Sequence, residues 1–589
     1  MCNCFRRGDL DTNDNVRTYH IWWRRSNHPK TFADLELQCL FDTVRAPEAL
    51  DASAASSSPE HSGGDLSHRV FGVTEQCILH RHQQSAFAVS LGLTDAEARA
   101  VARRAVLVHA VYRLWCSGTS HADCAALLDS LCKAGGLKYA LPKDASYFRF
   151  EQASHGKRLS MTEQQRNLQI YAKLLDHWTT VEQRTIQLSG DDVERIALLE
   201  DHELAADCGA RVLVGRRLAP GGQLCPVHRY RLSARPFIGT TSMDAELAFL
   251  MANVAGIGPG QTVLDPYVGT GSILIASAVL GASQVLGSDL DRWVLYGTSH
   301  TARRTHRNGT AGRESQTKSD SQITLLRASP GRTCTTSTIE EHPANATNRV
   351  HALEARTHDR NIAQRYHILD NFRFYGIPRH QWPELVRMDL LEPAWAVPDP
   401  ARPERFGWCD AIVCDPPYGI REGTRQASRA CAGDSDEERT SRTMRRRRAP
   451  FAAHLEALFR LAARVLCPGG RLVFWLPAVA ALTAYDLPRH ASFEYIGVPC
   501  CQRMRGDLRR YLLVLRKTDR MFPSAAAASS PEVFYEEAPP HYQRAHEDLA
   551  ARLFRVAERS EQLLQAPNPS RTTVPAADSG TGDAETAVP

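Results

Sequence analysis

Asp415-Pro416-Pro417-Tyr418 brings a carboxylate, two prolines and an aromatic ring to the end of an apolar run, Asp410-Ala411-Ile412-Val413-Cys414, which predicts a buried strand. The prolines fix the backbone and carry no N–H, so the carbonyls there are left as acceptors. The Asp415 side chain adds another acceptor, and Tyr418 offers a flat face on which a base can stack. Such a pocket suits a planar ring bearing an –NH2 group. It points to methylation of an exocyclic amine on a nucleobase.

A methyl donor needs its own site, and an earlier stretch supplies one. Thr262-Val263-Leu264 predicts a short buried strand, Asp265-Pro266-Tyr267-Val268-Gly269-Thr270-Gly271-Ser272 a glycine-rich turn, and Ile273 to Leu280 an apolar helix. Strand, glycine turn and helix open a nucleotide-binding α/β unit, in which glycines let the backbone approach a ligand closely. Val285-Leu286-Gly287-Ser288-Asp289 is the next strand and ends in a carboxylate placed to take ribose hydroxyls. The turn departs from the G-x-G-x-x-G spacing and carries Asp265 before it. An Asp there repels a pyrophosphate, which wants helix N–H groups, and welcomes the amino group of a methionine-derived sulfonium donor. This favours S-adenosylmethionine over NAD.

The chain of 589 residues is 43% hydrophobic and 23% charged, ordinary for a soluble protein, and its net charge of +5 permits nucleic-acid binding without arguing for it. Sixteen cysteines contain no C-x-x-C pair, so no zinc site is expected in this chain. Cys409, Cys414 and Cys467 beside buried strands read as reduced core cysteines of a cytoplasmic protein. No apolar signal core opens the chain, and no run of about 18 apolar residues is present to span a membrane.

The elements that must position these residues follow from periodicity and caps. Thr18 to Trp23 is strand-like, with Trp22 and Trp23 read as core, and Ala46 to Asp65 reads as a loop. Thr94 and Glu97 have capping-box spacing ahead of a helix and a strand that run to Trp115. Tyr147 to Glu151 alternates as a strand. Thr162 is a plausible cap for a helix reaching Trp178, and Val212 to Arg216 is another strand. Thr241 or Ser242 is read as the cap of an apolar helix, Leu247 to Val254. Residues 301–350 lack a hydrophobic period and read as a disordered insertion. Strands at Leu385–Asp389, Asp410–Cys414, Gly470–Trp475 and Tyr511–Leu515 complete the catalytic region, with a helix from Phe451 to Leu466. Residues 423–450 read as a basic loop containing Arg445 to Arg448, a solvated loop by default, or else a flap that contacts phosphate or a nuclear address.

Three segments, Phe237-Ile238-Gly239-Thr240-Thr241-Ser242-Met243-Asp244, Asp265 to Gly271, and Asp415 to Gly423 with its continuation Gly419-Ile420-Arg421-Glu422-Gly423, resemble the tRNA (guanine-10-N2)-methyltransferases of eukaryotes and archaea. That resemblance implies an α/β class I (Rossmann-like) methyltransferase domain over residues 229–522. It also implies an N-terminal α+β THUMP-type RNA-binding domain over 1–228. From about Ser524 the composition turns to Ala, Ser, Pro and Glu, so 523–589 reads as a C-terminal extension, largely disordered at its end. The resemblance implies tRNA as substrate and, for a eukaryotic catalytic chain, a small zinc-binding activator subunit as partner.

On this reading Asp415 and the carbonyl of Pro416 accept the two hydrogens of the guanine 2-amino group, Pro417 holds the backbone, and Tyr418 stacks on the base. Asp265 with Gly269, Thr270 and Gly271 holds the methionine end of the donor. Asp289 takes the ribose hydroxyls and Asp389 the adenine amino group. Thr241 and Asp244 either border the donor site or simply cap a helix. Tyr267 reads as packing. The tetrapeptide alone also allows an adenine-N6 or ribosomal guanine-N2 methyltransferase, and a non-catalytic RNA-binding protein is a further alternative.

Overall fold

The computed structural model describes residues 18–25, 29–52, 78–81, 85–133, 141–142, 144–190, 193–203, 211–239, 241–297, 366–393, 407–419, 425–426, 447–448, 450–518, 533–539, 542–549 and 551–553. The expected insertion at 301–350, the motif continuation Ile420 to Gly423, Arg445 and the chain's last residues lie outside them.

The N-terminal half is built on one sheet. Its elements are β1 (Thr18–Arg24), α1 (Lys30–Ala52), β2 (Ile78–Arg81), β3 (Phe87–Leu93), α2 (Asp95–Arg104), β4 (Val108–Gly118), α3 (His121–Lys133), β5 (Tyr147–His155), α4 (Met161–Ile170), α5 (Ala172–Asp176), β6 (Thr185–Ile186), β7 (Glu194–Asp201) and β8 (Val212–Pro220). The sheet order is β2-β3-β1-β4-β8-β7-β5-β6. Trp22 is buried, and its indole N–H donates to Ser90 Oγ at 2.8 Å, so it belongs to the core as its sequence context predicts. The Thr94–Glu97 capping box forms. Two expectations are corrected. Helix α4 is capped by Ser160 with Glu163, not by Thr162, because Ser160 alone is extended with its hydroxyl on the N3 amide. Helix α1 runs on through Ala52, past Pro47 and into the start of the stretch read as a loop, the rest of which lies outside the described residues.

The second sheet follows α6 (Ala245–Val254). It comprises β9 (Thr262–Asp265), α7 (Ser272–Val279), β10 (Gln284–Asp289), α8 (Arg292–Tyr296), α9 (Ile368–Phe374), β11 (Glu384–Arg387), β12 (Cys409–Cys414), a ribbon of β13 (Arg425–Gln426) and β14 (Arg447–Arg448), α10 (Phe451–Val465), β15 (Leu466–Ala478), β16 (Phe493–Tyr495), β17 (Cys500–Arg503) and β18 (Arg509–Lys517). The main sheet is ordered β11-β10-β9-β12-β15-β18-β16, with β17 also on β18. Strands β11, β10, β9, β12 and β15 are parallel, and β18 is antiparallel to β15. This is the class I methyltransferase arrangement expected. From β9 the chain travels outward through β10 and β11, then returns to the other side of β9 as β12. The carboxyl ends of β9 and β12 therefore flank the point where strand order reverses, the crevice in which open α/β sheets bind ligands.

Alternation on the central strands explains the two-faced core. Val263, Ala411, Val413, Val473 and Trp475 pack with α6 and α7 on one face. Leu264, Ile412, Cys414, Leu472 and Phe474 pack with α10 on the other. The first of these cores also takes in Phe32, Leu35 and Cys39 of α1, with Val106 and Leu107, so side chains from the N-terminal half lie within it. A correction concerns α6, whose cap is Asp244, not Thr241 or Ser242; its carboxylate accepts from the Glu246 N–H at 2.8 Å.

Candidate active site

The turn after β9 closes on itself through backbone and carboxylate bonds. Asp265 Oδ1 accepts from the Tyr267 N–H at 3.0 Å, and Asp289 Oδ2 accepts from the Gly269 N–H at 3.1 Å. The other Asp289 oxygen accepts from the Asp291 N–H at 2.8 Å, so this carboxylate braces the turn from the end of β10. Gly271 sits at φ +82°, and a Cβ there would come within 2.7 Å of Ile368 Cδ1. Glycine thus lets α9 close against the start of α7. Thr270 Oγ1 and Ser242 Oγ lie 2.8 Å apart, and Asn371 Nδ2 donates to the Thr270 carbonyl at 3.1 Å. This draws the segment containing Thr241 against the turn. Asp244, by contrast, turns its carboxylate to its own helix.

Asp265 is only 1% exposed. Burial pushes its carboxyl well above the ordinary range, and the negative charges of Asp289 and Asp415 push the same way. Three carboxyl groups thus crowd the ends of β9, β10 and β12, and a bound cation would draw Asp265 back to its charged form. Such a cluster attracts a cation and repels a pyrophosphate. It fits a sulfonium donor with an ammonium group, and Asp265, Asp289 and the Gly269–Gly271 backbone are the groups able to hold one. Asp389 ends the β11 side, its Oδ1 accepting from the Leu391 N–H at 3.0 Å. Tyr267, two residues after Asp265, has its hydroxyl 3.0 Å from His454 Nδ1.

Asp415 follows β12 directly. Tyr418 Oη donates to Asp415 Oδ1 at 2.5 Å, and Arg510 Nη1 donates to Asp415 Oδ2 at 2.9 Å. Burial, with the Asp415 charge adding to it, holds the Tyr418 hydroxyl well above the usual phenol range, so it is a neutral donor here. Arg510 was not singled out by its sequence context. The sheet places it: Arg510 faces Gln502 across β17–β18, and Trp475 faces Leu512, two residues along, across β15–β18. Diagonal neighbours on one face meet. The guanidinium lies 4.2 Å over the Trp475 ring, and Arg510 Nε donates to Gln502 Oε1 at 2.7 Å.

The predicted site residues Asp265, Gly269, Thr270, Gly271, Asp289 and Asp415 to Tyr418 are thus gathered at adjoining strand ends, with Thr241 and Asp389 at the margins. Among the described residues, no group of three or more His, Cys, Asp or Glu is placed to hold a metal ion, and no helix is long and apolar enough to cross a membrane.

The family model described as UPF0020, RMKL-like methyltransferase domain, matches residues 233–340. The chain is 28% identical over 450 residues to the tRNA (guanine(10)-N(2))-methyltransferase TRMT11 of Xenopus laevis, covering 74% of this chain and 77% of that protein. It is 30% identical over 340 residues to the protein of the same name from Homo sapiens, covering 55% and 58%. Against the Gallus gallus protein it is 32% identical over 308 residues, covering 51% and 52%. The match therefore spans between about half and three quarters of these relatives' length. Among solved structures, TrmN from Thermus thermophilus aligns over 85% of this chain and 99% of its own, at 15% identity and a TM-score of 0.31.

Proposed function

We propose that the chain is a member of the tRNA (guanine-10-N2)-methyltransferase family and that it methylates the exocyclic 2-amino group of guanosine 10 in tRNA, acting as a catalytic subunit with S-adenosylmethionine as donor. The observation that supports this reading is the placement of Asp415 at the strand-order reversal, beside the buried carboxylate of Asp265.

When bound, S-adenosylmethionine supplies an electrophilic methyl group on a sulfonium. The chain's task is to present the amine. A guanine 2-amino nitrogen is a poor nucleophile because its lone pair is delocalised into the ring. Asp415 and the Pro416 carbonyl accept its two hydrogens and turn the lone pair toward the donor, an orientation worth several kcal/mol of barrier, on the order of 5. As positive charge grows on nitrogen, the Asp415 charge binds it more tightly than in the ground state, which is the interaction that accelerates the step. Tyr418 offers its ring to the base, and the target nucleotide leaves its stack to reach the pocket. Asp415 need not keep the proton, which can pass to water after transfer. Asp265 and the Gly269–Gly271 turn hold the methionine end of the donor, Asp289 the ribose and Asp389 the adenine amino group, with Thr241 at the rim.

The N-terminal sheet is read as the RNA-holding unit of THUMP type. A small zinc-binding activator is the expected partner, and the cytoplasm the expected compartment. A methylation assay on transcribed tRNA, run with and without the activator and followed by mapping of the labelled base, tests the whole reading. Label on N2 of guanosine 10 supports it. Label only on adenine, or in ribosomal RNA alone, overturns it.

A further inference from the structure

We propose that Arg510 is the positioning residue of Asp415: a guanidinium fixed from behind by Trp475 and Gln502 holds the carboxylate in the one orientation that can receive the amine. This rests on the catalytic reading of Asp415 given above.

Three independent contacts fix the guanidinium before it reaches Asp415. Its Cζ lies 4.2 Å from the centroid of the Trp475 ring, its Nε donates to Gln502 Oε1 at 2.7 Å, and its backbone belongs to β18, which pairs with β15 and β17. Trp475 is itself immobilised. Its indole N–H points at Met251 Sδ on α6 at 3.1 Å, and Phe32 of α1 packs against it with ring centroids 6.1 Å apart. The remaining N–H groups at Nη1 serve both members of the motif, reaching Asp415 Oδ2 at 2.9 Å and Tyr418 Oη at 3.4 Å.

Asp415 follows its strand and precedes two prolines, so its backbone is held while its side chain retains two torsions. A carboxylate with one oxygen on Arg510 and the other on Tyr418 has both torsions set. Each oxygen carries more than one lone pair and can accept from the substrate as well. A lysine at 510 could supply charge, but it lacks an Nε–H with which to hold Gln502 and Asp415 together.

The test compares Arg510→Gln and Arg510→Lys with the wild-type chain for kcat, KM for tRNA and donor affinity by calorimetry. Positioning predicts kcat lower by about 10- to 100-fold in Arg510→Gln, with donor affinity and tRNA KM within about two-fold and partial recovery in Arg510→Lys. A kcat within about two-fold of wild type overturns the proposal, and so does donor affinity falling in parallel with kcat. Urea denaturation of wild type, Asp415→Asn, Arg510→Gln and the double variant reads the pair without any activity. Non-additive midpoints are expected, and additive ones overturn the pairing. A wild-type chain that leaves guanosine 10 unmethylated counts against the proposed function, while the denaturation cycle still decides on Arg510.

Discussion

Asn253 on α6 donates through Nδ2 to Glu36 Oε1 on α1 at 2.8 Å, joining residues 217 positions apart. The same carboxylate accepts from the Val106 and Leu107 N–H groups at 2.8 and 2.9 Å. Arg104 Nε and Nη2 donate to Asn253 Oδ1 from the other side. Burial pushes the Glu36 carboxyl up to about 7, against the pull of those three donors. A carboxyl raised in the folded state binds protons better folded than unfolded. Its stabilising contribution is therefore complete below the ordinary carboxylate range and is lost as pH rises through about 7. The melting temperature of the wild-type protein should fall relative to Glu36→Gln between about pH 5 and pH 8. Parallel pH profiles of the two proteins would refute this.

Asp415→Asn places an N–H donor where the reaction needs an acceptor. We expect kcat to fall at least about 100-fold while donor affinity changes by no more than about five-fold. Isotope transfer to transcribed tRNA and calorimetric titration of the donor measure the two separately. Equal losses in both would show that Asp415 serves the donor instead of the amine.

Gly271→Ala should destabilise the protein by about 1–3 kcal/mol, because the left-handed backbone is strained for alanine and the new Cβ meets Ile368. The collision pushes α9 off the donor turn, so donor affinity should fall as well. Chemical denaturation and donor titration check both effects. Unchanged donor affinity would mean that the turn tolerates the displacement.

Phe32→Ala removes a fully buried ring that lies against Trp475. A loss of about 3–5 kcal/mol is expected. The denaturation curve followed by near-ultraviolet circular dichroism should shift as one transition, since the ring belongs to the core beneath the catalytic sheet. A separate early transition confined to the N-terminal half would contradict this.

Local chemistry made much of the site readable. A glycine turn between an apolar strand and an apolar helix, a carboxylate at each following strand end and Pro416-Pro417 are short-range signals, and they fell on β9, β10, β11 and β12 as expected. Caps were less secure, because Thr162 and Thr241 have the same chemistry as the true caps nearby, and only backbone geometry distinguishes Ser160 and Asp244. Arg510 was hidden for a different reason. It stands beside Arg509 at the start of a strand and looks like a solvated charge, while its partner Asp415 is 95 residues away. Glu36 and Asn253 were equally silent. A buried Glu in an amphipathic helix gives no sign of the α6 side chain it will meet, so the union of the two halves became visible only in three dimensions.

That union limits how the molecule can be rearranged. Arg471 of β15 donates to the Val254 carbonyl at 2.9 Å and lies 3.8 Å from Asp42 of α1, while Leu35 and Cys39 complete the core below. A chimera that takes its first half from a relative must import matching partners for Asn253, Arg471 and Trp475, or it will leave a polar scar and a void at the join. A cut between the halves thus severs one packed core, and a graft is expected to fold only when both sides of that join come from the same parent.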